Sequence, residues 1–195
     1  DPNDLAIIES VIGLAHSFDR KVIAEGVETT EHGLMLLIMG CHNAQGYGIS
    51  RPIPSADVQS WLSEYIPNQS WLNYANKTRT KKENKIKLFE LTLAQWKNKF
   101  EKSINTSPDN ISFKHWPILK SNKCHCGIWI QRAKREELFA VAWLKQLETT
   151  HNALHDVADG LFQKYQQDDI KKAREGLKNL TIAVNCLHHT LGQCE

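Results

Sequence analysis

The pattern of apolar and polar positions changes character once along the chain. In the first third, short helical and strand-type runs alternate. Leu5, Ile8, Val11, Ile12 and Ala15 recur at helical spacing, and Asn3 or Asp4 can cap the helix they predict, which runs to about Phe18. Lys21 to Ala24 is a short apolar run of strand type that ends at Glu25-Gly-Val-Glu28-Thr. Thr29 or Thr30 then caps a second helix, with Leu34, Leu37 and Ile38 inward and Gly40 as its stop. Ala44 to Ser50 predicts a second short strand, and Ser55 to about Tyr65 a further helix. Helices alternating with strands over short loops are the rhythm of a parallel α/β fold.

From Ile66 to Glu83 the texture is polar with scattered aromatics. A basic run (Lys77, Arg79, Lys81, Lys82, Lys85, Lys87) crosses it, and the segment reads as a solvated linker. Beyond it the periodicity is helical only. One helix is expected from Glu83 to Ile104, with Leu88, Leu91, Ala94, Trp96 and Phe100 inward. Others are expected over Leu119 to Arg132, Arg135 to Gln166 and Asp168 to Leu191, the last with Ile170, Ala173, Leu177 and Ile182 inward. Four antiparallel helices of this length make a small bundle. The expected architecture is therefore α/β followed by all-α, with a first portion at 1–66, a linker at 67–83 and a four-helix bundle at 84–195.

The last portion carries a cluster with chemistry in it. Cys124-His-Cys-Gly-Ile-Trp129 opens one helix, and His151-Asn-Ala-Leu-His155 lies on the next. Two histidines four apart share a helix face, here with Leu144, Leu147, Ala158 and Phe162, so both should point inward. One thiolate and two imidazoles in a dry interior suit Zn²⁺. Histidines on an apolar stripe equally fit hydrogen-bonded core residues, so spacing alone leaves both readings open.

A Cys-x-x-Gly-x-Trp helix start followed by this histidine pair resembles the chemoreceptor zinc-binding domain, CZB, a four-helix module of bacterial chemoreceptors and cyclic-di-GMP enzymes. The resemblance implies a zinc site of three histidines and one cysteine, with Cys124, His151 and His155 in three of the positions. The family's remaining ligand is a His three residues before a Trp on the opening helix. Here Trp96 is present in Leu93-Ala-Gln-Trp96, and Leu93 stands where that His would be. His115, His125 and Cys126 are the nearby substitutes, and His115 is the expected fourth ligand because i+1 and i+2 neighbours on a helix point away from Cys124.

Two motifs in the first portion are similar to the closing part of an EAL domain, the barrel phosphodiesterase that linearises cyclic di-GMP. They are Val22-Ile-Ala-Glu-Gly-Val-Glu-Thr29 and Gly40-Cys-x-x-x-Gln-Gly-Tyr-x-x-Ser-Arg-Pro-Ile-Pro54. The resemblance implies the last two strand–helix units of a TIM-type barrel. Within it, Glu25 orients the metal and water, Glu28 supports the loop, and Gln45 accompanies the site at the last strand end. Phosphodiester hydrolysis of this kind uses Mg²⁺ or Mn²⁺ held by carboxylates at the carboxyl ends of barrel strands. The Glu-Ala-Leu signature, the paired aspartates and the catalytic Lys of the family are not in this sequence. The expectation is a C-terminal part of a longer enzyme, inactive by itself.

Composition narrows this little further. The chain has 195 residues, a net charge of +2, 41% hydrophobic and 24% charged residues, which describe a globular chain and give no argument for a nucleic-acid partner. There is no apolar run long enough for a membrane span and no secretory signal. Five cysteines without framework spacing read as free thiols in a reducing cytoplasm. The whole reading is a homodimeric cyclic-di-GMP phosphodiesterase regulated by a zinc- or oxidant-sensing domain. Its rival is a non-catalytic signalling or dimerisation module with a degenerate zinc site.

Overall fold

The computed structural model describes residues 2–107 and 116–194. It divides into two compact units, Asn3–Leu88 and Phe89–Glu195, with the division falling inside one long helix.

The first unit contains helix α1 (Pro2–Ser17), strand β1 (Ile23–Ala24), helix α2 (Thr30–Ile38) and strand β2 (Asn43–Ala44). A 3₁₀ turn at Ser55–Asp57 leads into α3 (Val58–Glu64), followed by α4 (Gln69–Ala75). Thr29 caps α2 by accepting from the His32 amide at 3.2 Å. The two strands pair in parallel, Ile23 opposite Asn43 and Ala24 opposite Ala44. A crossover helix between adjacent parallel strands is the βαβ arrangement that the alternating pattern called for. The pairing continues past the strands, because the Gln45 amide donates to Ala24 O at 2.8 Å and the Val27 amide to Gln45 O at 3.1 Å. A Cβ on Gly46 would lie 2.3 Å from the Val27 backbone, so the close approach of these loops requires glycine there.

Ile12, Val27, Met35, Ile38 and Cys41 form this unit's core. Leu5 and Ala15 of α1 are half-buried, and much of the remaining apolar surface of the helix and of Phe18 after it is not covered. Ile7, Val11, Leu14 and Phe18 are all more than half exposed, Phe18 by 68%. Ile8 and Val11 were expected inward, yet Ile8 is 40% and Val11 52% exposed; a two-stranded sheet is too narrow to bury the whole apolar circumference of α1. The segment read as a linker is packed in part. Trp71 on α4 donates from Nε1 to Thr30 O at 2.8 Å, and a Cβ on Gly33 would fall 2.6 Å from its indole, so the ring rests on the face that Gly33 leaves open.

Helix α5 (Lys81–Asn105) begins with a reciprocal cap. The Glu83 amide donates to Thr80 Oγ1 at 3.1 Å, and Glu83 Oε2 accepts from the Thr80 amide at 2.6 Å. The second unit continues with a 3₁₀ turn at Ser121–Lys123, α6 (His125–Ala133), α7 (Val141–Gln166), α8 (Ile170–Glu175) and α9 (Leu177–Gly192). Helix α7 packs against α6, α8 and α9. Its Trp143 donates from Nε1 to Thr190 O of α9 at 2.8 Å. At the other end, Tyr165 donates its hydroxyl to Thr106 O, and Arg174 donates to Ile104 O and Asn105 O, satisfying carbonyls that the end of α5 leaves free.

Two helix faces differ from the expectation. On α5 the buried positions are Leu88, Phe89, Thr92, Leu93, Phe100, Ser103 and Ile104, whereas Ala94 is exposed. The expected last helix is two helices that meet at Gly176, and α9 buries Leu180, Val184, Leu187 and Leu191 while Ile182 stays 60% exposed. The four buried positions follow one another at spacings of four, three and four, and Ile182 falls on the opposite face. None of the described helices is long and apolar enough to cross a membrane.

Leu187→Ala should therefore lower the stability of the second unit by about 2–5 kcal/mol. Ile182→Ala should change it by no more than about 0.5 kcal/mol. Urea unfolding of both variants checks the pair, and equal losses would mean that the buried face of α9 is wrongly assigned.

Candidate functional site

In the second unit, Cys124, His151 and His155 offer ligand atoms that all lie within 4.8 Å of one another, and all three residues are buried. Helix α7 sets the histidines, since a four-residue step puts both rings on the face turned toward α5 and α6. They are 2% and 4% exposed, with ring centroids 4.7 Å apart. Cys124 is set by a different device. It is the N-cap of α6, and its Sγ accepts from the Gly127 amide at 3.3 Å. A Cβ at position 127 would sit 1.8 Å from Ser121 O, so only glycine lets the 3₁₀ turn fold back beside the helix start and aim the thiol inward.

Each histidine has a defined partner. His155 donates from Nδ1 to Leu119 O at 2.5 Å, which leaves the Nε2 lone pair free to face the cluster. His151 Nε2 lies 3.2 Å from Cys124 Sγ. A backbone carbonyl holding the far nitrogen of a histidine is the usual way that a metal-ligating ring is oriented. The distances suit the ion as well. With zinc–sulfur and zinc–nitrogen bonds of ordinary length at a tetrahedral angle, sulfur and nitrogen stand about 3.5 Å apart. The observed pair is within a few tenths of an ångström of that, and the donor set of one thiol and two imidazoles fits Zn²⁺.

Electrostatics keep the metal-free cluster neutral. Burial pushes the Cys124 thiol up to about 11, despite the Gly127 amide that favours its thiolate. Burial also pulls His151 down to about 3, with His155 beside it adding to the effect, and burial lowers His155 in spite of its bond to Leu119. The 3.2 Å contact is therefore a thiol beside a neutral imidazole, not an ion pair. A thiol held so is a poor nucleophile until a cation displaces its proton.

The site is walled by aromatics. Phe89 of α5 meets His151 edge-on at 6.4 Å, and Trp96 lies 4.8 Å from His155. Trp96 donates from Nε1 to Ile118 O at 2.8 Å, one residue before the carbonyl that holds His155. Leu93 is 1% exposed and stands on the same helical face as Phe89 and Trp96, between the residues that touch the two rings. Of the substitutes weighed for a fourth ligand, Cys126 points elsewhere: its buried Sγ is 3.5 Å from Thr92 Oγ1. His115 lies outside the described residues. Trp96 was placed inward by its motif, whereas Phe89 against His151 was not foreseen, although the spacing 89, 93, 96, 100 on α5 was a signal that could have found it.

In the first unit the parallel register brings Glu25 and Gln45 together, one residue beyond each strand. Gln45 donates from Nε2 to Glu25 Oε1 at 3.1 Å. Both side chains are exposed, and Glu25 stands at the rim of an apolar groove of about 410 Å³ lined by Ile8, Val11, Ile12 and Met35. Glu28 is exposed on the loop after β1, where the Gly48 amide donates to the O of the preceding Val27 at 2.8 Å. A carboxylate and an amide side by side at the carboxyl ends of parallel strands are where an α/β fold places its chemistry.

Comparison with known proteins bears on this unit. Residues 1–52 match the EAL domain family. The chain is 40% identical over 63 residues to Oxygen sensor protein DosP of Escherichia coli, covering 32% of this chain and 8% of that protein. It is 38% identical over 61 residues to Cyclic di-GMP phosphodiesterase PA2567 of Pseudomonas aeruginosa, covering 31% and 10%. It is 36% identical over 58 residues to the Bifunctional diguanylate cyclase/cyclic di-GMP phosphodiesterase MucR of the same species, covering 30% and 8%. The chain thus spans a tenth or less of the length of these curated relatives. No solved structure matches it.

Because folding holds His151 far below its ordinary value, the unfolded chain takes up a proton near pH 6.5 that the folded chain refuses down to about 3. Stability of the metal-free protein is thus complete above about pH 6.5 and falls as pH drops through that window, by about 1.4 kcal/mol per pH unit for this group. Urea unfolding with chelator at pH 7.5, 6 and 5 reads this slope. In His151→Leu the slope should shrink by about that amount, and an unchanged slope would refute the neutral burial of His151.

Proposed function

We propose that this chain belongs to a cyclic-di-GMP phosphodiesterase whose output is set by a zinc-binding helical domain. The observation that carries the regulatory half is the convergence of Cys124, His151 and His155, with His155 oriented by Leu119 O. The EAL match over residues 1–52 and the phosphodiesterase names of its relatives support the catalytic half. In this reading residues 1–66 are barrel elements, 67–83 connect, and 84–195 form a CZB-like four-helix bundle in a cytoplasmic homodimer.

The roles follow from the chemistry. Glu25 would hold Mg²⁺ or Mn²⁺ and orient its water, Gln45 would hold the Glu25 carboxylate in place, and Glu28 would support the loop. Glu25, Glu28 and Gln45 are a minority of the residues that two-metal hydrolysis requires, so the 195-residue chain alone is expected not to turn over cyclic di-GMP. In the helical domain, zinc would supply a fixed positive centre that holds Cys124 as thiolate. Cys124, His151 and His155 would bind it, and Leu119 O would keep the His155 lone pair on target.

The same geometry defines how an oxidant would act. Without metal the Cys124 thiol is raised to about 11 and is inert at neutral pH. Sensing of peroxide or hypochlorous acid at Cys124 therefore runs through the metal-bound thiolate, not through a free one. The rival reading, a non-catalytic module with a lost zinc site, draws support from Leu93.

Metal analysis of the purified full chain tests the proposal. About one zinc per chain is expected, lost in Cys124→Ala and in His151→Ala, with a thermal melt that a chelator lowers. Zinc uptake should also release about one proton per ion at pH 7, that of Cys124, readable by titration calorimetry in buffers of different ionisation heat. No zinc and a melt indifferent to chelator would favour the rival.

A further inference from the structure

We infer that the metal ion reaches Cys124 and His151, and leaves them, along a polar groove between α6 and α7. The inference rests on the metal reading above and adds the path by which the buried site is loaded.

Cys124 and His151 are 3% and 2% exposed, so an ion arriving from water has to be led to them. Three groups meet the Cys124 sulfur. Its thiol donates to Ser121 O at 3.3 Å, the Gly127 amide donates to it at 3.3 Å, and His151 Nε2 lies 3.2 Å away. Ser121, Gly127 and His151 all line one groove of about 360 Å³. The groove therefore comes up against the residues in direct contact with the sulfur, and one of these is itself a ligand.

The rest of the lining suits a hydrated cation. Asn122, Gln131, Glu148 and Asn152 carry side-chain oxygens that can stand in for waters on a passing divalent ion. Lys120 lines the groove too, but it is exposed, and its long side chain can keep the ammonium in solvent. The Glu148 carboxylate is held in place. Its Oε1 accepts from Gln131 Nε2 at 2.9 Å and its Oε2 from Lys134 Nζ at 2.7 Å, which ties α7 to α6 beside the groove. Glu148, His151 and His155 follow one another on α7 at spacings of three and four, along one face. An ion that enters beside Glu148 thus meets His151 and Cys124 before His155. Toward α5 the two rings meet Phe89 and Trp96 instead, aromatic surface that a hydrated ion crosses only at high cost.

Two neighbouring positions test the path. Asn152 is exposed and lines the groove, whereas Ala153 is exposed and is not part of its lining. Cobalt(II), whose visible bands report binding, is mixed rapidly with the metal-free full chain, and a chelator then draws it out. Asn152→Trp fills the groove, so exchange must wait for local opening, and uptake and release should both slow by about tenfold or more. Because both directions slow alike, affinity and band positions should match the wild type. Ala153→Trp should change neither rate. If the tryptophan at 152 prevents folding, Asn152→Phe makes the same comparison with a smaller plug. Wild-type rates in a folded Asn152 variant overturn the inference, and so does an equal slowing in Ala153→Trp. Slower uptake with faster release is a loss of affinity, not a closed path, and overturns it as well. No cobalt uptake by the wild-type chain is a separate failure, that of the metal reading itself, and removes the inference with it.

Discussion

The second unit depends on burying two imidazoles on one helix without charging either. Desolvation makes the protonated form of His151 and His155 costly, and each ring must then find a partner for its neutral tautomer. Leu119 O serves one, and Cys124 Sγ faces the other. Both partners come from the short stretch between Leu119 and Gly127, so the requirement of α7 dictates the path of a loop far away in sequence. That path in turn requires glycine at 127, because Ser121 O occupies the space where a side chain would begin. Phe89 and Trp96 cover the side of the two rings toward α5.

In the first unit the corresponding constraint is backbone pairing. Two strands of two residues each are too short to hold a sheet by themselves. The ladder is extended by loop amides, from Gln45 to Ala24 and from Val27 to Gln45. This extension puts the Glu25 carboxylate beside the Gln45 amide. The chemistry of the edge is thus a by-product of register, and a one-residue slip would separate the pair. Gly46 permits the approach, and the EAL match covers this whole segment.

Much of this was legible in the sequence, for identifiable reasons. Helix caps are local, so the residues alone narrowed the cap of α2 to Thr29 or Thr30, and Thr29 is the one that caps it. The inward face of α7 was legible because Leu144, Leu147, His151, His155 and Ala158 keep one spacing without interruption. What failed was register where the pattern is ambiguous. Helix α5 has apolar residues on more than one side, and the choice of Leu91 and Ala94 over Phe89 and Leu93 missed the face that closes the site. The break at Gly176 was hidden because the residues on both sides are helix formers. Long-range partners such as Leu119 O have no sequence signal at all, since any residue supplies a carbonyl. The packing of Trp71 on Gly33 was missed for the same reason, because it rests on an absent side chain 38 positions away (71 − 33).

The state of Cys124 decides between two ways of regarding the cluster. A cysteine paired with a histidine can be an ion pair, ready to attack, when the surroundings stabilise both charges. Here burial pushes the thiol up and the imidazole down, so each group favours the uncharged form and the pair stays a thiol and a neutral base. The N-terminus of α6 and its nearby backbone amides, with that of Gly127 at 3.3 Å, are too little to reverse that. A divalent cation reverses it at once, because it stabilises the thiolate directly and needs the imidazoles neutral, as burial already has them. The environment that makes the cluster useless for nucleophilic catalysis is therefore the one that prepares it for metal: two of three ligands are already in the binding protonation state, and one proton remains to be displaced.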